Sequence, residues 1–285
     1  MERYFTENKI IYYLCRLRAN YAQQRSKKHL LHLISGDVSL NHHIEDLNKD
    51  EQFLREILPP RRKWKKLGKK NMYKSRNQRI ISIEYNTKAL FKTVLFYKKY
   101  NPSELFVSKL GEFVAQIIES LNDPNYEIEK PSVYPKPKKK IDYRKTAVNT
   151  CRSISLFSLR DKIIIGLTNK YLTDQFDNQF YKNFNAFRSS LDKSRLVNHH
   201  NSIGEIIEYI EKNNSDSLWV AECDMNKFYD TVSHEIILNQ FDELIWKCEF
   251  TGNSIDKRSK LIFRAFLNSY NFVEDVLQKN DKDEF

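Results

Sequence analysis

Apolar residues recur at helical spacing from Lys9 to Ile34, with Ile10, Ile11, Leu14, Leu17 and Tyr21 on one face. That spacing predicts an amphipathic helix, which Gly36-Asp37 stops. Leu40 to Leu58 reads as a second helical stretch closed by Pro59-Pro60. The run IISIEY, Ile80 to Tyr85, has the β-branched density of a short strand. Thr87 to Tyr100 and Pro102 to Leu121 read as helices divided at Asn101-Pro102, with Asn101 and Ser103 as candidate caps. Pro124, Pro131, Pro135 and Pro137 exclude helix interior and predict a loop entering a β-ribbon. Ser158 to Phe180 returns to helix, with Ile163, Ile164, Leu167, Tyr171, Leu172 and Phe176 on one face. Ile203 to Lys212 is a further helix, Asn213 to Asp216 a turn and Ser217 to Cys223 a strand. From Ser233 the pattern is helical again, through Ile236, Ile237, Phe241, Leu244 and Ile245. Helices with a ribbon and a strand make the expected fold class α+β, beginning with a helical region over 1–130.

Charge changes this picture more than composition does. The chain has 285 residues and a formal net charge of +11. From Asn201 onward there are nine basic and seventeen acidic residues, whereas the first 200 residues carry 39 basic and 20 acidic. A basic part joined to an acidic part suggests a polyanion held by the first and cation chemistry in the second. The basic charge is densest in RRKWKKLGKKNMYKSRNQR, residues 61–79, which has ten basic residues, no acid, and Trp64 and Tyr73 interleaved. Arg61, Arg62, Lys63, Trp64, Lys65 and Lys66 are therefore candidate nucleic-acid contacts, cations for phosphates and rings for bases. The bland reading is a solvated loop with Trp64 tucked into the core.

Other classes are disfavoured. Only six glycines are present, and neither G-x-G-x-x-G nor G-x-x-x-x-G-K-[ST] occurs. Cys15, Cys151, Cys223 and Cys248 form no C-x-x-C pair and no zinc-type spacing with histidine. The first residues mix charge into their apolar run, unlike a signal peptide, and no apolar stretch reaches 18 residues. The expectation is a reduced, cytoplasmic protein without disulfides and without a membrane partner.

The stretch VAECDMNKFYDTVSHEIIL, Val220 to Leu238, poses the chemical question. Asp224 follows the apolar run Leu218 to Ala221 and precedes Phe228-Tyr229. A carboxylate at a strand end either caps the next turn or is presented to a ligand. Asp224 beside the Met225 carbonyl offers the hard oxygens that Mg²⁺ takes. Asp230 with Ser233 reads as a cap for the helix at His234.

This stretch resembles the first palm motif of reverse transcriptases, above all the prokaryotic ones of retrons, group II introns and antiphage defence. The motif runs roughly D-[IL]-x-x-[FA]-[FY]-[DS]-x-[IV]-x-H, and Asp224, Phe228, Tyr229, Asp230, Val232 and His234 fill its positions. Upstream, PKPKKKIDYRKTAVNTCRSISLFSLRDKIII resembles the fingers segment through Pro135, Lys136, Arg152, Ile154, Leu156, Asp161, Lys162 and Ile163. NFNAFRSS resembles the segment ahead of the palm through Ala186, Phe187 and Arg188. The resemblance implies fingers over 131–200 and a partial palm over 201–285. It also implies an RNA-directed DNA polymerase using Mg²⁺ and dNTPs, with an RNA template and a DNA product. Asp224 and Met225 would then hold metal, Arg152 the triphosphate, and Tyr229 the sugar. Arg188 with Lys138, Lys139 and Lys140 would face nucleic acid. Which of Lys138, Lys139, Lys140, Arg144 and Lys145 reaches the triphosphate stays open.

The resemblance has a gap. Family members continue with a Gln-Gly grip motif and an Asp-Asp hairpin, and neither dipeptide follows Leu238. Glu274-Asp275 sits in a helical pattern and reads as a solvated face. The expectation is a truncated or split enzyme, inactive alone, with a second polypeptide carrying the missing motifs. Two rivals stand beside it. One is a non-catalytic nucleic-acid-binding protein on a decayed polymerase scaffold. The other is a structural partner in a defence complex.

Overall fold

The structure is a computed structural model that describes residues 1–35, 49–68, 78–137, 151–181, 199–213, 221 and 232–271. The described residues are mostly helical, with one two-stranded antiparallel sheet, an α+β composition. The chain divides into two compact units. One comprises Glu2–Tyr126 and Ser158–Ile164; the other comprises Met1, Glu127–Phe157 and Ile165–Phe285.

The first unit is built from α1 (Glu7–Ser35), α2 (Lys49–Ile57), α3 (Gln78–Tyr100) and α4 (Leu105–Asn122). α1 lies along α3, and α2 along α4. Ile10, Ile11, Leu14, Cys15 and Ala19 of α1 are buried with Ala89, Leu90 and Val94 of α3. Leu54 and Ile57 join Leu110, Val114 and Ile117, each burial worth roughly 1.5–3 kcal/mol for the larger side chains. Edge-on ring pairs, Tyr12 with Phe91 and Phe53 with Phe113, add directional packing. Arg18 is also buried, 4.0 Å from the buried Glu51, which receives Arg55 at 2.9 Å.

Two expectations change here. Ile80 to Tyr85 is helix, continuous with α3, and forms no strand. A short β-branched run is ambiguous by itself, and the packing of α3 along α1 overrides local propensity. The cap of α4 is Glu104, without a side-chain capping bond, in place of Asn101 or Ser103. The Glu104 carboxylate is engaged elsewhere, by Lys63.

α5 (Leu159–Phe176) begins in this unit around a buried carboxylate. Asp161 is fully buried, where the Tyr126 hydroxyl donates to Oδ1 and the Ser158 hydroxyl to Oδ2 at 2.8 Å. The Asp161 N–H returns a bond to Ser158 Oγ at 3.2 Å, which pins the helix start. Burial, then the bond to Asp161, pushes the Tyr126 hydroxyl pKa above 10.0. Folded Tyr126 therefore keeps its proton where the unfolded residue ionises, so the unfolded state binds fewer protons above about pH 10. Stability is expected to be full below that pH and to fall as pH rises past it. Denaturation midpoints at about pH 9 and about pH 11 measure the fall. It should shrink in Tyr126→Phe; an equal fall in both proteins would exclude Tyr126 as its source.

The second unit holds β1 (Ser132–Pro137), β2 (Cys151–Leu156), the rest of α5, α6 (His199–Lys212), α7 (His234–Phe250) and α8 (Lys257–Asn268). In the ribbon Ser132 pairs with Leu156 and Lys136 with Arg152. Two-stranded pairing makes both strands edges, which is why β1 accepts Pro135 and Pro137. Leu167, Tyr171, Leu172 and Phe176 are buried, as are Phe241, Ile245, Ile262 and Leu267. Phe241 stacks on Phe263 at 4.1 Å and meets Phe176 edge-on at 5.7 Å. The Cys248 thiol donates to the Gln175 carbonyl at 3.6 Å, and Cys15 and Cys248 are both free and buried.

After α7 the chain turns at Gly252, whose φ of 84° only glycine adopts without strain, and the Asn253 N–H bonds the Cys248 carbonyl at 2.9 Å. Asp256 then caps α8, its carboxylate accepting from the Arg258 N–H at 2.8 Å. α6 is helical as its periodicity predicts, yet Ile203, Ile206, Ile207 and Ile210 are exposed. No described helix is long and apolar enough to cross a membrane.

Candidate nucleic-acid interface

Pro59-Pro60 ends the α2 segment, and Arg61–Lys63 makes one 3₁₀ turn, closed by the Lys63 N–H on the Pro60 carbonyl at 2.9 Å. From there to Gly68 the chain is a strap fastened to α3 at three points. Lys63 meets the Glu104 carboxylate at 3.3 Å and stands 5.1 Å from the Tyr97 ring centroid. The Lys65 N–H donates to Thr93 Oγ1 at 2.8 Å, and that buried hydroxyl donates to the Ala89 carbonyl at 2.7 Å. The Tyr85 hydroxyl accepts from the Leu67 N–H and donates to the Leu67 carbonyl, each at 2.9 Å. The partners step backwards from Tyr97 to Tyr85, so the strap runs antiparallel to α3 over roughly 18 Å of its length.

This fastening sorts the candidate contacts. Arg61, Arg62, Lys65 and Lys66 are exposed. Lys63 and Trp64 are half-buried, and each has an intramolecular partner. The Trp64 indole N–H donates to the Pro59 carbonyl at 2.9 Å, which closes the strap on itself. The structure thus places four of the six side chains toward solvent and uses two to hold the strap.

The same strap brings in residues of α3 that the basic run alone does not mark. The Lys65 ammonium lies 3.8 Å from the Phe96 ring centroid. Phe96 and Tyr100, 37% and 60% exposed, have centroids 4.9 Å apart. The Lys99 ammonium stands 5.1 Å from the Tyr100 centroid, and Lys92 is exposed one turn before Phe96. Among the described residues, Arg61, Arg62, Lys65, Lys66, Lys92 and Lys99 enter no salt bridge. The acids Glu104, Glu84 and Glu7 are paired with Lys63, Lys88 and Lys98. The surface therefore carries uncompensated positive charge around exposed rings. The signal for the rings was available as the helical stripe Lys92, Phe96, Lys99 and Tyr100.

Asp224, Met225, Tyr229, Lys138, Lys139, Lys140 and Arg188 lie outside the described residues, as does the expected strand over 217–223 apart from the exposed Ala221. Arg152 lies on β2 at the register position of Lys136. His234 opens α7, and Ser233 is its N-cap without a side-chain capping bond. Among the described residues no three His, Cys, Asp or Glu side chains gather as metal ligands. No family model matches the chain, and no curated protein or solved structure does.

Proposed function

We propose that this chain is the fingers and first palm segment of an RNA-directed DNA polymerase of the prokaryotic type. One observation carries the reading: three segments resembling the family occur in the family's order between Pro135 and Leu238. The ribbon supports it. Lys136 and Arg152, the two family-matching cations of the fingers segment, share one register position of the two strands. In this reading Arg152 holds the triphosphate and Tyr229 closes the space a 2′-hydroxyl would need.

Asp224 and the Met225 carbonyl form a hard-oxygen donor set that suits Mg²⁺ and falls short of the carboxylates two ions need. Bound there, Mg²⁺ supplies activation of the primer hydroxyl and stabilisation of the leaving pyrophosphate. The acids that would complete a two-ion site are not found after Leu238 in this sequence, which holds no Asp-Asp there. The uncovered stripe Ile203, Ile206, Ile207 and Ile210 on α6 is consistent with packing on another chain.

The test is primer extension on an RNA template, with this chain alone and with any polypeptide that copurifies with it. Tyr229→Ala is expected to raise ribonucleotide use relative to deoxynucleotide use by roughly tenfold or more, the scale on which a pocket rejects one added group. Extension with unchanged sugar discrimination would remove Tyr229 from the site. A second reading, a nucleic-acid-binding scaffold without catalysis, is favoured by the strap. It predicts RNA binding with a steep salt dependence and no response to Mg²⁺ or nucleotide.

A further inference from the structure

The strap and the exposed end of α3 together carry a more specific inference. A ring of cations alone binds any polyanion, including duplex nucleic acid, through phosphates. Exposed rings add something only for a ligand with free flat faces. Phe96 and Tyr100 sit one helical turn apart with centroids 4.9 Å apart and rings tilted by 44°. The tilt leaves them splayed, as two facets of a step. The step is not an accident of a loose end: Lys65 holds Phe96 from one side at 3.8 Å, and its own N–H is tied to Thr93. Phe96 also meets Tyr97 edge-on at 5.8 Å. Tyr97 is in turn fixed edge-on against the buried Phe106 at 5.2 Å.

We propose that Phe96 and Tyr100 are a base-stacking step for single-stranded nucleic acid, with Lys65, Lys92 and Lys99 tracking its phosphates. Duplex bases are stacked on each other and offer no face to such a step. A single strand offers one at each nucleotide, without regard to sequence. Trp64 is not the stacking ring, because its indole N–H is committed to Pro59 and the residue is half-buried. The inference rests on the nucleic-acid reading above and not on its polymerase chemistry.

The test is a fluorescence-anisotropy titration of the full chain with labelled oligo(U), oligo(dT) and a hairpin duplex of equal phosphate count, without Mg²⁺ or nucleotide. The single strands are expected to bind more tightly than the duplex. Tyr100→Ala is expected to weaken single-strand binding roughly five- to a hundredfold, to leave duplex binding unchanged, and to be rescued by Tyr100→Trp. Lys99→Ala should lower the salt slope of single-strand binding by about 0.7. Tyr100 is exposed at the helix end, so its substitution leaves the fold intact, which circular dichroism checks. Equal loss on single strand and duplex, or no loss on either, would overturn the stacking step while leaving the nucleic-acid reading standing. Failure of the wild-type chain to bind any of the three would overturn both.

Discussion

Replacing Asp161 by alanine is expected to lower the stability of the first unit by about 3 kcal/mol or more, far beyond the effect of an ordinary surface substitution. The carboxylate is fully buried and accepts from two hydroxyls, Tyr126 and Ser158. A hydrogen bond to a charged group contributes roughly 1.5–3 kcal/mol, and alanine removes both of these together with the charge that accepts them. The same residue fixes the first turn of α5 through its N–H to Ser158 Oγ, so the helix loses its start as well. Urea denaturation should show a lower midpoint at unchanged slope. Ser158→Ala should cost less, because it removes one partner and leaves the Tyr126 bond. A midpoint within error of wild type for Asp161→Ala would contradict the described network.

Replacing Asp224 by alanine is expected to reduce deoxynucleotide incorporation at least about a thousandfold. A carboxylate supplies charge as well as an oxygen, and alanine supplies neither, so the Met225 carbonyl would be left as a lone neutral ligand. Water cannot replace a fixed anion in holding Mg²⁺ against a triphosphate. RNA binding should survive the change, since the strap lies in the other compact unit. Equal incorporation by wild type and variant would place the metal site elsewhere.

Much of the helical framework was legible. α1, α5 and α7 follow from apolar residues at i, i+3, i+4 and i+7 that are buried in part, as Ile10, Leu14, Ile163, Leu167, Phe241 and Ile245 show. The ribbon followed from proline density. Ile80 to Tyr85 misled because β-branched runs carry no period of their own, and the contact with α1 that makes them helical is distant in sequence. α8 is short, and its buried face opens on the polar Ser259 before Ile262 and Leu267, so Asp256 as its cap is the plainer signal. At the interface the basic run was plain, but its sorting was not. Lys63 and Trp64 read like their neighbours until Glu104, Tyr97 and Pro59 are brought to them by the fold. Phe96 and Tyr100 stand in a stripe with Lys92 and Lys99, but an aromatic in a helix reads as core, and packing decides which rings are left exposed.

The most direct test of the polymerase reading is incorporation of labelled dNTPs on a primed RNA template, with and without Mg²⁺. It is run with this chain alone and then with any polypeptide that copurifies with it. The reading predicts Mg²⁺-dependent product in at least one of the two, and loss of that product in Asp224→Ala. No product in either, while the chain still binds the template RNA, would contradict it and leave a binding scaffold.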